Sequence, residues 1–163
     1  VREEIDQPML EEILPLGTKL KDIWWESRGG RIRLPEHVSD EKYRNSDIHG
    51  DPGITFGRQI GAYPILVGVP YAVPLESGSD IIVTGHGMRS ISGIECGLDI
   101  NSATKSQLQA LPGIGDKASW KIISNRARRM NKNRGSFKSV EEAFSEAGVK
   151  MPPLASEVFV TTY

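Results

Sequence analysis

Residues 108–123 read LQALPGIGDKASWKII, and the order of residue types in this stretch specifies a helix, a sharp turn and a second helix. Just upstream, Thr104-Lys105-Ser106-Gln107 is a capping-box sequence, in which the Thr104 hydroxyl and the Gln107 amide each answer an orphan donor at a helix start. Leu108 and Leu111 follow at the spacing of a buried helical face, and Pro112-Gly113 stops the helix because proline cannot continue its hydrogen-bond ladder. Gly113 and Gly115 permit backbone angles closed to residues with a Cβ, so the turn can be very tight and its amides lie bare. The second helix is expected over about Asp116–Met130. The bare amides then sit at its N-terminus, where unpaired N–H groups and the helix dipole suit an anion such as phosphate. Ile114 should point the other way, into the space between the helices, and hold the turn.

The chain has 163 residues, 38% hydrophobic and 25% charged, an ordinary globular composition. That length allows one large domain or two small ones. No apolar stretch is long enough for a transmembrane helix, and no basic segment followed by an apolar run opens the chain, so no secretory signal is expected. A lone Cys96 excludes an internal disulfide, a CxxC zinc ribbon and a three-cysteine iron–sulfur motif within these residues. It fits a reducing cytoplasm. The chain opens at Val1 without methionine, which suggests a fragment of something longer.

The formal net charge of −1 sums two unlike halves. Residues 1–99 hold 10 basic and 16 acidic side chains, whereas residues 100–163 hold 10 basic and 5 acidic. Lys117, Lys121, Arg126, Arg128, Arg129, Lys132 and Arg134 crowd into 18 residues with no acid among them. Such a run repels itself unless something anionic lies nearby; a solvated helix face is the bland alternative. At about 100° per residue, Lys117, Lys121, Ser124 and Arg128 form one stripe of the second helix. Ser119, Ile122, Ile123 and Met130 fall opposite, the side expected to face the first helix. The stripe begins one turn after the glycines and leads away from them, a geometry suited to following a nucleic-acid backbone.

Further along, Ser139-Val140-Glu141-Glu142 is a second capping box, with Val140, Ala143, Phe144 and Ala147 at helical spacing and Gly148 as the stop. Pro152-Pro153 opens a last short helix carrying Leu154, Val158 and Phe159. Toward the N-terminus, Asp6-Gln7-Pro8 reads as the start of a short helix. From Thr18 to about Asp99 the signals are those of strands: Thr18–Trp25, Arg31–Leu34, Ile54–Gln59, Tyr63–Val69, Asp80–Thr84 and Met88–Glu95. Pro35–Pro52 is polar and aperiodic and is expected as a long loop. Five or six short strands with no helix between them point to an OB-like barrel. In Trp24-Trp25 the two indoles should fall on opposite faces, one in the core. The expected fold class is α+β: a barrel with a short N-terminal helix over 1–98, then an all-α domain over 99–163.

The LPGIG turn and its flanking helices resemble the helix-hairpin-helix motif. The wider run DINSATKSQLQALPGIG, followed by RGSFKSVEEA, is similar to the tandem hairpin domain of bacterial competence DNA receptors, over about residues 99–160. Ser119 stands where the family has a small Ala. The second hairpin turn, Ala147-Gly148-Val149-Lys150, lacks the second glycine and is expected to pack against the first rather than grip phosphate. In the other half, FGRQIGAYPILVGVP (56–70) and DIIVTGHGMRSISG (80–93) resemble the region after the catalytic barrel in a group of archaeal radical SAM proteins. The match covers most of residues 8–130, and the first run is also similar to a TRAM domain, a small RNA-binding β-barrel. The resemblance implies the C-terminal part of an iron–sulfur oxidoreductase whose 4Fe-4S cluster and S-adenosylmethionine lie upstream. The CxxxCxxC motif is absent here, and Gly85 replaces the family's Asp before His86.

These readings give a nucleic-acid-binding module with no catalysis of its own, for DNA rather than RNA and without sequence specificity. The residues expected at the nucleic acid are Gly113, Ile114, Gly115, Lys117, Lys121, Ser124, Arg128 and Arg129, with Arg58 on the barrel. No metal site and no cofactor is expected in this chain. The expected partners are nucleic acid and the upstream radical SAM domain, not a membrane. Two other readings stand beside it: an RNA-binding module, or a scaffold docking onto the upstream domain through acidic residues 1–50. A hydrolase built on Asp80, His86 and Ser90 lacks a nucleophile-elbow or metal signature.

Overall fold

The computed structural model describes residues 11–25, 49–59, 65–87 and 90–161. The chain divides into two compact units, Val1–Glu95 and Cys96–Tyr163. In the first, β1 (Lys19–Trp25), β2 (Pro52–Gln59), β3 (Leu66–Tyr71), β4 (Ser77–His86) and β5 (Ser90–Glu95) close into a barrel in the order β1-β2-β3-β5-β4. Neighbouring strands are antiparallel except β3 and β5, which run parallel from Leu66↔Ser90 to Gly68↔Ser92. This is a five-stranded barrel of the OB-like class that the strand spacing predicts. Residues 11–13 are helical. The helix start at Asp6, the strand Arg31–Leu34 and most of the loop Pro35–Pro52 lie outside the described residues.

Alternation along the strands sends Ile23 and Trp25 of β1, Val67 and Val69 of β3 and Ile81 of β4 into the core. The Trp25 indole N–H donates to Ser79 Oγ at 2.5 Å, which satisfies the one polar atom an inward tryptophan carries. Trp24 falls on the other face, half-buried, opposite Arg58 of β2. Thr55 is fully buried, and its hydroxyl donates to the Tyr71 carbonyl (2.9 Å) while accepting from the Val73 amide (3.0 Å). β1 approaches β2 so closely at Gly57 that a Cβ there would lie 2.5 Å from the Trp24 carbonyl oxygen and 2.7 Å from the Trp25 ring. His49 Nε2 lies 2.6 Å from Glu95 Oε1, and the Glu95 amide donates to the Tyr71 hydroxyl at 2.9 Å. The hydrogen bond to Glu95 raises the His49 pKa, against the opposing effect of burial.

The second unit holds α1 (Lys105–Gln109), α2 (Asp116–Asn131), α3 (Val140–Ala147) and α4 (Ala155–Val158). Two short strands, β6 (Leu98–Asp99) and β7 (Phe159–Val160), pair in parallel and tie its two ends together. Strands of two residues leave no periodic trace in a sequence, and Phe159 leaves the expected last helix to join this pair. The Thr104 capping box forms in full: the Gln107 amide donates to Thr104 Oγ1 (3.2 Å) and the Thr104 amide to Gln107 Oε1 (3.0 Å). At Ser139 only half of the expected box forms. The Glu142 amide donates to Ser139 Oγ (3.0 Å), but Glu142 Oε2 accepts from the amide of Lys138, one residue early (3.2 Å). Gly148 takes the left-handed conformation (φ 70°), and the Gly148 and Val149 amides donate to the carbonyls of Ser145 and Phe144, a Schellman ending. Leu108, Leu111, Ile122, Phe137 and Phe144 are buried in the core of this unit. No helix among the described residues is long and apolar enough to cross a membrane.

Two outcomes follow for the barrel. Gly57→Ala should lower its stability by about 1–3 kcal/mol, the usual cost of overpacking, as read by chemical denaturation. The His49 pKa is raised, so the His49–Glu95 contribution is complete below the ordinary histidine value of 6.5 and is lost as pH rises through the folded-state pKa. The barrel's resistance to thermal unfolding should therefore fall as pH is raised above the ordinary histidine value of 6.5 more in the wild type than in His49→Gln.

Candidate nucleic-acid interface

The turn between α1 and α2 places Gly113 and Gly115 just ahead of the N-terminus of α2, where the sequence pattern expects them. Gly113 and Gly115 are exposed, and Ile114 is buried between them at 5% exposure, as expected. The Ile114 amide is not bare: it donates to the Leu111 carbonyl at 3.1 Å. Ile114, expected at the nucleic acid, therefore serves the turn by packing, and its amide is not open to a ligand. Among the described residues the amides of Gly113, Gly115, Asp116 and Lys117 find no acceptor. These four donors cluster at the positive end of the 16-residue helix α2.

The two glycines differ in what the fold asks of them. Gly113 has φ +100°, and a Cβ there would meet Pro152 Cγ at 3.2 Å. The turn of the first hairpin thus packs against Pro152, which follows the second, in line with the packing role expected for that degenerate hairpin. Gly115 has φ −96°, open to any residue, and a Cβ there would meet nothing within 4 Å. Nothing among the described residues demands glycine at position 115. Ser119 is fully buried, and its hydroxyl donates to the Asp116 carbonyl at 2.8 Å, so the extra polar atom is satisfied.

Structure divides the cationic run by role. Arg126 donates to the carbonyls of Ile100 (3.1 Å) and Ala103 (3.0 Å). Burial lowers its pKa, with Asp99 working the other way. Arg129, expected on the nucleic acid, is 4% exposed and turned inward. Its Nη1 donates to both carboxylate oxygens of Glu146 (2.6 and 2.7 Å) and lies 3.0 Å from Glu142. Its remaining nitrogens donate to the carbonyls of Gly135 and Ser136. The hydrogen bond to Glu146 raises its pKa. Arg134 also reaches Glu146, at 3.2 Å. The anions missing from the run itself come from α3. Lys117, Lys121, Arg128 and Lys132 are exposed and make no ion pair among the described residues; Ser124 is exposed within their stripe. Met130, expected against the first helix, is 62% exposed, because the five-residue α1 is too short to cover the last turn of α2.

Three residues the sequence reading passed over complete the surface. Asp116 opens α2 with a carboxylate that would repel a bound anion, but Lys105 Nζ lies 2.5 Å away and holds that carboxyl below its ordinary pKa. The same ammonium lies 5.1 Å from the centre of the Trp120 ring, and Trp120 is 53% exposed. Its place beside the stripe, three residues after Lys117, was the available signal.

Arg58 lies half-buried on the barrel, opposite Trp24 and Leu66. Asp80 and His86 sit six residues apart on β4, about 20 Å in extended strand. Asp80 accepts from the Asp22 amide (3.0 Å), and His86 Nε2 lies 2.5 Å from the Leu14 carbonyl. Those side chains are used by the fold. Among the described residues no group of three His, Cys, Asp or Glu could hold a metal ion.

Residues 94–143 match the family model of the helix-hairpin-helix motif. The matched segment spans α1, the glycine turn, α2 and the start of α3, and a motif of this kind points to nucleic acid as the ligand. An uncharacterized protein of Archaeoglobus fulgidus is 35% identical over 113 residues, 69% of this chain and 17% of that protein. An uncharacterized protein of Methanocaldococcus jannaschii is 34% identical over 94 residues, 57% of this chain and 13% of that protein. The chain thus spans less than a fifth of the length of the curated relatives it matches. No solved structure matches it.

Adjacent arginines should behave oppositely. Arg129→Ala strands Glu142 and Glu146 and should lower the thermal midpoint of the helical unit sharply. Arg128→Ala should leave that midpoint unchanged, within about 0.5 kcal/mol, while weakening binding to nucleic acid.

Proposed function

We propose that the helical unit binds the sugar-phosphate backbone of DNA without sequence specificity. Gly115 carries this reading. It is a glycine that neither its backbone angle nor its neighbours require, beside unpaired amides at a helix N-terminus, where a missing side chain lets a phosphate oxygen approach. Lys117, Lys121 and Arg128 lead away from that point and meet successive phosphates, a contact that positions the strand and reads no base. The motif match and the excess of basic residues in this half of the chain support the assignment.

The chain acts as the nucleic-acid-holding, C-terminal part of a larger radical SAM iron–sulfur oxidoreductase. The runs at 56–70 and 80–93 and the greater length of the relatives support this part. With Cys96 as its lone cysteine the chain does not supply a three-cysteine cluster set, and we assign no catalytic step to these residues. The enzyme's chemistry belongs to the upstream domain, which is also the chain's partner within the polypeptide.

Titration of duplex DNA at several salt concentrations tests the interface. Three engaged cations give a slope of log K against log salt of about −3, and Lys121→Glu should make it shallower by about 1. Gly115→Val should abolish the phosphate contact with an unchanged thermal midpoint. Affinity indifferent to salt, or equal in the wild type and Gly115→Val, refutes the proposal.

A further inference from the structure

Beside the cationic stripe, between α2 and α3, lies a cleft of about 350 Å³. Trp120, Lys121, Ser124, Asn125 and Arg128 line it from α2 and Glu146 from α3. Backbone binding alone gives this cleft no purpose, and three observations fit it to one kind of occupant. Trp120 is 53% exposed, a large apolar surface left in water on the most cationic helix. Asn125 lines the cleft, and its Nδ2 is buried and finds no hydrogen-bond partner among the described residues, so one donor of this side chain stands unused. Glu146 brings the only carboxylate among the described residues lining the cleft, and its charge is met by Arg129 and Arg134.

We infer that this cleft takes an unpaired nucleobase of the bound strand. The inference rests on the backbone-binding reading and sharpens it: the preferred ligand is a strand with at least one base free of its duplex partner. The base stacks on the Trp120 indole, which Lys105 orients from its own side. Lys121 and Arg128 hold the flanking phosphates, and the Asn125 amide donates to a ring carbonyl or nitrogen of the base. The volume is at the low end of the usual range for small-molecule sites, about 300–1,000 Å³. It suits one base and excludes a paired helix.

The test compares the 163-residue chain on two strands of equal phosphate number, an oligothymidylate of about 15 nucleotides and its fully abasic counterpart. The wild type should favour the thymidine strand by about 5- to 150-fold, the range of one base–aromatic stack. Trp120→Ala should remove that preference by lowering thymidine affinity alone, with the thermal midpoint unchanged. Trp120→Phe should retain most of it while losing the tryptophan quench seen on binding. Asn125→Leu should weaken the thymidine complex without lowering the midpoint, since no bond is lost. Equal affinity for the two strands with a steep salt dependence overturns the base site and leaves backbone binding standing. A quench that persists in Trp120→Phe puts the base elsewhere and also overturns it. Failure of both strands and of duplex DNA to bind overturns this inference and the backbone reading together.

Discussion

Arg129 is nearly sealed from water, and a guanidinium so placed is tolerated only when its donors are matched. Glu146, Glu142 and the carbonyls of Gly135 and Ser136 match them, with the Phe137 ring 5.0 Å from the guanidinium carbon. This one network clamps α2 to α3 and to the segment between them. It also settles the electrostatics of the surface. Because Arg129 and Arg134 take up Glu146, and Arg126 is spent on two backbone carbonyls, the cations of the 117–134 run left over lie along one stripe.

That stripe gains its meaning from the turn at its head. A helix N-terminus offers amides to an anion only if no side chain covers them and no carboxylate competes. Gly115 meets the first condition. The pairing of Asp116 with Lys105 meets the second, and the same lysine braces Trp120. Unpaired amides, cation row and exposed indole thus share a few residues around one helix start. Pro152, whose ring would lie 3.2 Å from a Cβ on Gly113, backs the turn from behind.

Much of this was legible in residue order. The Thr104 capping box, the Pro112-Gly113 stop, the limits of α2 to within a residue and the exposed stripe all follow from local rules. So does the barrel, whose alternating strands and punctuating glycines have few other uses, and the division of Trp24 and Trp25 between two faces. Where the reading missed, the deciding partner was distant in the chain. Arg129 and Arg128 are indistinguishable as neighbours in a basic run; only α3, 11 or more residues later, makes one structural. Glu142 abandons part of its capping box because Arg129 and the Lys138 amide lie within its reach. Met130 looks buried by period and is exposed because α1 is short.

By itself, the sequence determined the elements with strong local grammar: helices with caps, a turn only glycine can make, strands with two-residue alternation, and an uneven distribution of charge. Tertiary structure decided which charges remain for a ligand, whether Ile114 offers its amide or only its side chain, and where a cleft opens beside Trp120. The physical reason is range. Backbone preference and periodicity act over a few residues, whereas ion pairing, burial and cavity shape depend on whatever the folded chain brings alongside.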